Sequence, residues 1–241
     1  MDRMRMDRIH FIPFPYAGGS AMVYSRWRTM LPAFAELHLV ELAGRGSRMG
    51  EPFYENMEQA VADLEAKLPR VIMEEPYVLF GYSMGGIIAF ELAHRLQAKY
   101  GRPPLRLYIG ARRAPHTLSS NRLIHDLPSE SFRQEVLKLG GVTAEVYDNE
   151  QWAETFLPLL RADLKLAELY QPERDDLRPP LLTDLRLFAG SQDVIPLKHM
   201  EAWQDYVSGA CELTVYDGGH FFLHQHEQDI LQTIRSDLCA L

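Results

Sequence analysis

A chain of 241 residues, 46% hydrophobic and 24% charged, is long enough to bury one substantial core and has the composition of a soluble globular domain. A formal net charge of −8 argues against a nucleic-acid binder, which carries a basic face, and gives no positive clue to a partner. The N-terminus is charged rather than apolar, and no stretch approaches the roughly 18 apolar residues of a membrane span, so a cytoplasmic location is expected. In that compartment Cys211 and Cys239, far along the chain and in no metal-ligand spacing, read as reduced thiols.

Residues 9–14 form a short apolar run that predicts a first buried strand. Pro15-Tyr16-Ala17-Gly18-Gly19-Ser20 follows as a loop, opening a helix over about 22–34. Its double glycine permits close backbone approach to a ligand. A second strand is expected over 37–42. It runs into Gly44-Arg45-Gly46-Ser47-Arg48, a basic turn whose arginines are most simply solvated charges, with an anion contact as the sharper alternative. Residues 57–73 read as one helix, with Met57, Val61, Leu64, Leu68, Val71 and Ile72 in an apolar stripe at helical spacing.

Residues 77–80 are again apolar and introduced by Pro76, as suits a strand buried on both faces. Gly81-Tyr82-Ser83-Met84-Gly85 then matches G-x-S-x-G, and 87–100 is helical. The bare pattern arises by chance in roughly one chain in ten of this length. The buried strand before it and the helix after it give it weight: together they make a sharp strand-to-helix turn that presents a serine hydroxyl at the helix N-terminus. Ser83 is the expected nucleophile. A serine that merely caps a helix would not need glycine on both sides.

A strand over 105–110 follows Pro103-Pro104. Between 111 and 180 the alternation of strands and helices stops. Helices are expected over 129–139, with Ser129 as N-cap, and over 151–170, and no strand is legible. A helical insertion at 112–180, after the strand that follows the nucleophile, is a candidate lid. Alternation resumes with a strand over 185–189, a helix over 197–207, a strand over 212–216 and a closing helix over 226–240. These units predict one domain over 1–241: an α/β-hydrolase fold, with a mostly parallel central sheet flanked by helices.

A serine hydroxyl needs a base within hydrogen-bond reach, itself oriented by an acid, and in this fold the chain order is Ser, then Asp or Glu, then His. Of nine histidines, His220 lies just beyond the last strand in a glycine turn. His224 and His226 are better explained as a solvent-facing helix start than as metal ligands, and neither a metal nor a cofactor is expected. Asp193 follows the penultimate strand, where the topology wants the acid. Asp217 is its rival, but shares a tight turn with His220. Two backbone N–H groups, of Met84 and Ala17, are expected to form the oxyanion hole, with Gly18 as the alternative to Ala17.

Six segments, F-P-Y-A-G-G-S at 14–20, G-R-G-S-R at 44–48, G-Y-S-M-G-G at 81–86, L-P-L-L-R-A-D at 157–163, A-G-S-Q-D at 189–193 and G-H-F-F-L at 219–223, resemble in order the signatures of type II thioesterases. These are the stand-alone editing hydrolases of nonribosomal peptide and polyketide synthesis. The likeness covers nearly the whole chain, and L-P-L-L-R-A-D is its most discriminating piece. Tyr82 stands where such enzymes usually carry histidine, and Gly86 where alanine is common; Tyr82 flanks the nucleophile, where a change would bear on acyl preference. The resemblance implies hydrolysis of acyl thioesters from the phosphopantetheine arm of a carrier protein, by a monomer, clearing misprimed or stalled intermediates. Arg112, Arg113 and Arg122 are candidate docking cations for the carrier. A general carboxylesterase, an acyltransferase on the same fold and a non-catalytic carrier-binding module are the competing readings.

Overall fold

The computed structural model describes residues 8–117, 123–140, 150–172 and 178–241. Among these, six strands form one sheet: β1 (Ile9–Phe14), β2 (Ala35–Leu37), β3 (Tyr77–Tyr82), β4 (Arg106–Gly110), β5 (Asp184–Gly190) and β6 (Cys211–Tyr216). Their spatial order is β2-β1-β3-β4-β5-β6, and every neighbouring pair is parallel. The chain leaves β1 for the edge strand β2, then crosses back to β3 on β1's other side. Ligands of open parallel sheets bind where the order reverses in this way, beyond the carboxyl ends of the strands. Here that point lies between β1, which leads into the loop at 15–20, and β3, which leads into Ser83.

Both central strands are buried along their whole length, as their unbroken apolar sequences require. Pro13 inside β1 is unusual, since a central strand needs its N–H groups. The pairing with β2 stops at Phe11↔Leu37, and the N–H of Ile9 points to that side, towards Phe34 O. Pro13, four residues on, faces the same side beyond the end of β2, so its missing donor costs no ladder bond.

Helices cover both faces of the sheet. On one side lie α1 (Met57–Lys67) and α2 (Met84–Tyr100), packed with Leu79, Leu107 and Leu187 of the strands. On the other, Tyr24 and Trp27 of a 3₁₀ segment, Ala21–Thr29, join Phe11, Phe80 and Tyr108. The C-terminal helix, Glu227–Ala240, adds Ile230, Ile234 and Leu238 to that face. Its Asp237 accepts from Arg186 at 2.7 and 3.0 Å and pairs with Arg106 at 2.9 Å, tying the helix to β4 and β5.

Several boundaries differ from the sequence reading. The segment after the first loop is a 3₁₀ turn ending before Pro32 rather than a helix over 22–34. The second strand is Ala35–Leu37, because only those residues lie beside β1; 38–42 continue outside the ladder. The stripe at 57–73 is broken after Lys67, where Leu68 turns extended ahead of Pro69 and a 3₁₀ turn follows. The helix expected over 197–207 is α-helical only at Leu197–Glu201 and 3₁₀ thereafter.

In the insertion, α3 (Ser129–Leu139) begins after Pro128, so Ser129 is its first helical residue and not its cap. The next helix, α4 (Glu150–Leu169), packs against α2. Leu127, Phe132, Val136 and Leu160 make a small separate core, with Ala17 of the early loop packed against it. Arg161 braces this core, donating to Leu127 O at 2.7 Å and to His125 O, with its guanidinium 4.0 Å from the centre of the Phe132 ring.

Candidate active site

Ser83 sits at φ 53°, ψ −113°, where a residue with a side chain rarely rests. Its neighbours impose that geometry. A Cβ on Gly81 would lie 2.1 Å from Gly85 O, and one on Gly85 would lie 2.1 Å from Phe14 O. Strand β3, helix α2 and the end of β1 therefore meet backbone against backbone, which only glycine permits. Ser83 N–H donates to Gly110 O at 2.8 Å, pinning the turn to β4. Met84 begins α2, so its N–H is among the first four that a helix leaves without an internal acceptor.

The loops beyond β3, β5 and β6 bring together the three side chains singled out in the sequence. His220 Nε2 lies 3.0 Å from Ser83 Oγ. His220 Nδ1 lies 2.9 Å from Asp193 Oδ2 and 3.2 Å from Oδ1. The Asp193 side chain is 2% exposed and also accepts Ile195 N–H at 3.2 Å, so its carboxylate is fixed from two directions. Asp217, the rival acid, is exposed and occupied elsewhere. Its Oδ1 accepts from Ser191 Oγ and from Gln192 Nε2, both at 2.9 Å, and these bonds hold its carboxyl below the usual range. His224 Nε2 meets Tyr16 Oη at 3.3 Å, and His226 Nε2 donates to Asp217 O at 2.9 Å.

In the early loop, Gly18 N–H donates to Asp163 Oδ2 at 2.7 Å. That donor is taken; Ala17 N–H has no such acceptor among the described residues, which separates the two candidates. The partner comes from α4. Arg45 Nη1 and Nη2 each reach one Asp163 oxygen at 2.6 Å, and Nη1 also donates to Gly19 O at 2.9 Å. The pair is buried, with side chains 5% and 2% exposed. Phe156, Leu160 and Asp163 recur at i, i+4 and i+7, so one face of α4 meets the loop. Gly18 is at φ +77°, and a Cβ there would lie 2.8 Å from Phe156 Cζ.

This corrects the reading of the basic turn. Neither arginine is a solvated charge or free for an anion: Arg48 is buried too, 2.8 Å from Asp63, 3.1 Å from Tyr54 Oη and paired with Glu51. The roles of Arg45 and Asp163 were missed, although both lie in the quoted signatures. The available signal was an aspartate on the otherwise apolar face of α4, which demands a buried partner.

Tyr82, expected to bear on acyl preference because it flanks the nucleophile, turns its side chain into the protein. Its ring is fully buried, and its hydroxyl donates to the backbone carbonyl of His220 at 2.6 Å while facing Leu223 N–H at 3.4 Å. Burial raises the phenol pKa far above its ordinary value, so the hydroxyl stays a donor. Of the candidate docking cations, Arg112 turns inward to Ala167 O at 3.1 Å, and burial lowers its guanidinium to about 10. Arg113 is half-buried, with Asp193 as its electrostatic neighbour. Arg122 lies outside the described residues.

With this geometry in hand, comparison with known proteins is specific. A family model for the thioesterase domain matches residues 10–238. The linear gramicidin dehydrogenase LgrE of Brevibacillus parabrevis is 36% identical over 230 residues, covering 93% of this chain and 86% of that protein. Whatever that name denotes, the dinucleotide fingerprint G-x-G-x-x-G does not occur in this sequence. Among solved structures, ClbQ from the colibactin NRPS/PKS pathway is similar with a TM-score of 0.89 at 30% identity, covering 97% of this chain and 98% of that one. The type II thioesterase BorB from the borrelidin biosynthetic cluster gives a TM-score of 0.85 at 30% identity, covering 95% and 92%. The chain belongs to the thioesterase family and has the α/β-hydrolase fold.

Proposed function

We propose that this thioesterase hydrolyses acyl thioesters carried on the phosphopantetheine arm of a carrier protein, editing intermediates of nonribosomal peptide or polyketide assembly in the cytoplasm. The observation that carries the reading is the unbroken chain Asp193–His220–Ser83. Similarity to ClbQ and BorB supports the biosynthetic setting. Ser83 Oγ attacks the thioester carbonyl and His220 Nε2 takes its proton. Asp193, on Nδ1–H, fixes the tautomer and stabilises the imidazolium. Negative charge gathers on the carbonyl oxygen, beside Met84 N–H and Ala17 N–H. When the tetrahedral adduct collapses, the C–S bond breaks and His220 returns the proton to the departing thiolate. Water, deprotonated by His220, then adds to the acyl-serine and releases the acid and Ser83.

The insertion at 112–180 acts as the lid in this reading. A long, thin phosphopantetheine arm passes beneath it while the carrier stays outside, so part of the binding energy comes from contacts remote from the thioester. A net charge of −8 gives no general attraction for an acidic carrier, and the inward-turned Arg112 offers no local one. Docking is therefore assigned to exposed apolar side chains of the lid, such as Leu123 and Leu169, with Arg113 and Arg122 as the remaining candidate local cations. The test is kcat/KM for one acyl group on a holo-carrier, on pantetheine and on coenzyme A. The carrier-bound form should lead; equal values would leave a small-molecule thioesterase, and faster cleavage of the matching oxoester would leave a carboxylesterase.

The triad generates a prediction that separates the two aspartates. Ser83→Ala or His220→Ala should each lower turnover by about 10⁴- to 10⁶-fold, and Asp193→Asn by about 10⁴-fold through the wrong imidazole tautomer. Asp217→Asn should stay close to wild type; the opposite order in steady-state rates would move the acid to Asp217.

Tyr82 is assigned a positioning role, acting through His220. Tyr82→Phe removes one hydrogen bond worth about 1 kcal/mol, so kcat should fall roughly 5-fold at unchanged KM. A raised KM with unchanged kcat would instead mean that the residue borders the acyl group. For the buried ion pair, Asp163→Ala strands Arg45 and frees Gly18 N–H. Unfolding free energy should drop by about 3–5 kcal/mol, with kcat lowered well below native in protein that is still folded. Urea titration alongside kinetics measures both, and a stable, fully active variant would contradict the assignment.

A further inference from the structure

We propose that His10, Glu36 and His38 form a binding site for a zinc-class transition-metal ion, at the end of the sheet opposite Ser83. His10 and Glu36 are direct partners in the β1–β2 ladder. Partners in a parallel ladder project from the same face, and His38, two residues after Glu36, returns to that face. His10 Nδ1 lies 2.8 Å from His38 Nε2. The carboxylate of Glu36 stands 4.0 Å from the first nitrogen and 3.8 Å from the second. One ligand atom from each residue thus falls within 4.8 Å of the others.

Tetrahedral ligands at zinc distances of about 2.0–2.2 Å lie roughly 3.3 Å from one another. The imidazoles need to part slightly and Glu36 to close by a similar amount. The Glu36 side chain, 44% exposed, has that freedom. A separate observation sets the tautomer. His10, 1% exposed, places Nε2 2.9 Å from Glu75 Oε2. With Nε2–H given to Glu75, Nδ1 presents its lone pair to His38 and Glu36, the carboxylate–histidine arrangement that commonly backs a metal ligand.

Without a metal, His38 Nε2–H bridges to His10 Nδ1. With one, His38 carries its proton on Nδ1 and the ion replaces the bridging hydrogen. Two imidazoles and one carboxylate suit Zn²⁺, Ni²⁺ or Cu²⁺ better than Mg²⁺ or Ca²⁺. Arg8 sits 3.4 Å from Glu36 on the outer side, and Glu75 offsets that charge from beneath. Entry is open: Glu36 and His38 line a surface groove of about 440 Å³ together with Arg28, Lys67 and Pro69. The site is structural, since His10 precedes the end of β1 by four residues, about 13 Å of strand. It clips the three-residue edge strand β2 to β1, and to the turn entering β3 through Glu75.

The experiment uses the full chain, freed of metal by chelator dialysis and titrated with ZnCl₂ in a calorimeter and in thermal melts. Wild type should take up one zinc per chain that His38→Ala and Glu36→Gln lose, and its Tm should rise where theirs do not. Glu75→Gln should weaken this binding about 10- to 100-fold, while MgCl₂ shifts no Tm. Metal-free His38→Ala should hydrolyse a thioester like wild type, showing that it folds. Absence of zinc binding by wild type, or identical zinc binding in wild type and His38→Ala, overturns the proposal.

Discussion

The carboxylate of Asp163 is the contact on which the catalytic end of this molecule depends. It joins three segments remote in sequence: the early glycine loop, through Gly18 N–H; the basic turn, through Arg45; and the helix of the insertion that carries it. A buried ion pair adds little net stability compared with apolar residues of the same volume, because both charges must be stripped of water. What this one supplies is position. Each oxygen of Asp163 meets one arm of the guanidinium, Gly18 shares Oδ2, and Arg45 reaches on to Gly19 O, so the loop has few other places to sit. With Gly18 N–H consumed, Ala17 N–H is the donor proposed on that loop for the oxyanion. The insertion therefore does more than cover the sheet: it fixes half of the proposed oxyanion site.

The other half is fixed by β3. Residues in sparsely populated backbone regions cost about 1–3 kcal/mol and persist only where the surroundings over-determine them. For Ser83 the surroundings are the glycine contacts and the bond to Gly110 O. Tyr82, one residue earlier, holds the carbonyl of His220 while Ser83 meets its imidazole. Tyr82, the last residue of β3, and Ser83, the next residue in the turn, thus grip the histidine at both ends. Nearer the surface, Tyr16 lies edge-on to Phe221 at 5.1 Å, so the loops carrying Ala17 and His220 also touch.

Much of this was legible in the sequence. Strands buried on both faces read as apolar runs, and five of the six strands, the partly exposed edge strand β6 among them, fell where expected; β2 is shifted because its extent depends on β1 rather than on its own pattern. Ser83, Asp193 and His220 could be found because the fold puts such groups just past strand ends in a fixed chain order. Arg45 could not be placed, since its partner is 118 positions away and a basic residue in a turn looks solvated. Tyr82 reads as bearing on acyl preference because the pattern says that it flanks the serine, not which way its ring turns. The cluster of His10, Glu36 and His38 was invisible for a related reason. It exists only once the register between β1 and β2 is known, and a one-residue slip would put His10 on the opposite face.

Ser83 is proposed as a covalent nucleophile whose acyl group outlives the departing thiol. Intact-protein mass spectrometry on samples acid-quenched within the first turnover, with thiol release followed in parallel, tests this most directly. The expected result is a burst of thiol and a matching acyl mass increment on the peptide containing Ser83, both absent from Ser83→Ala. Thiol and acid released together, with no acyl adduct on Ser83 and with turnover retained in Ser83→Ala, would contradict it.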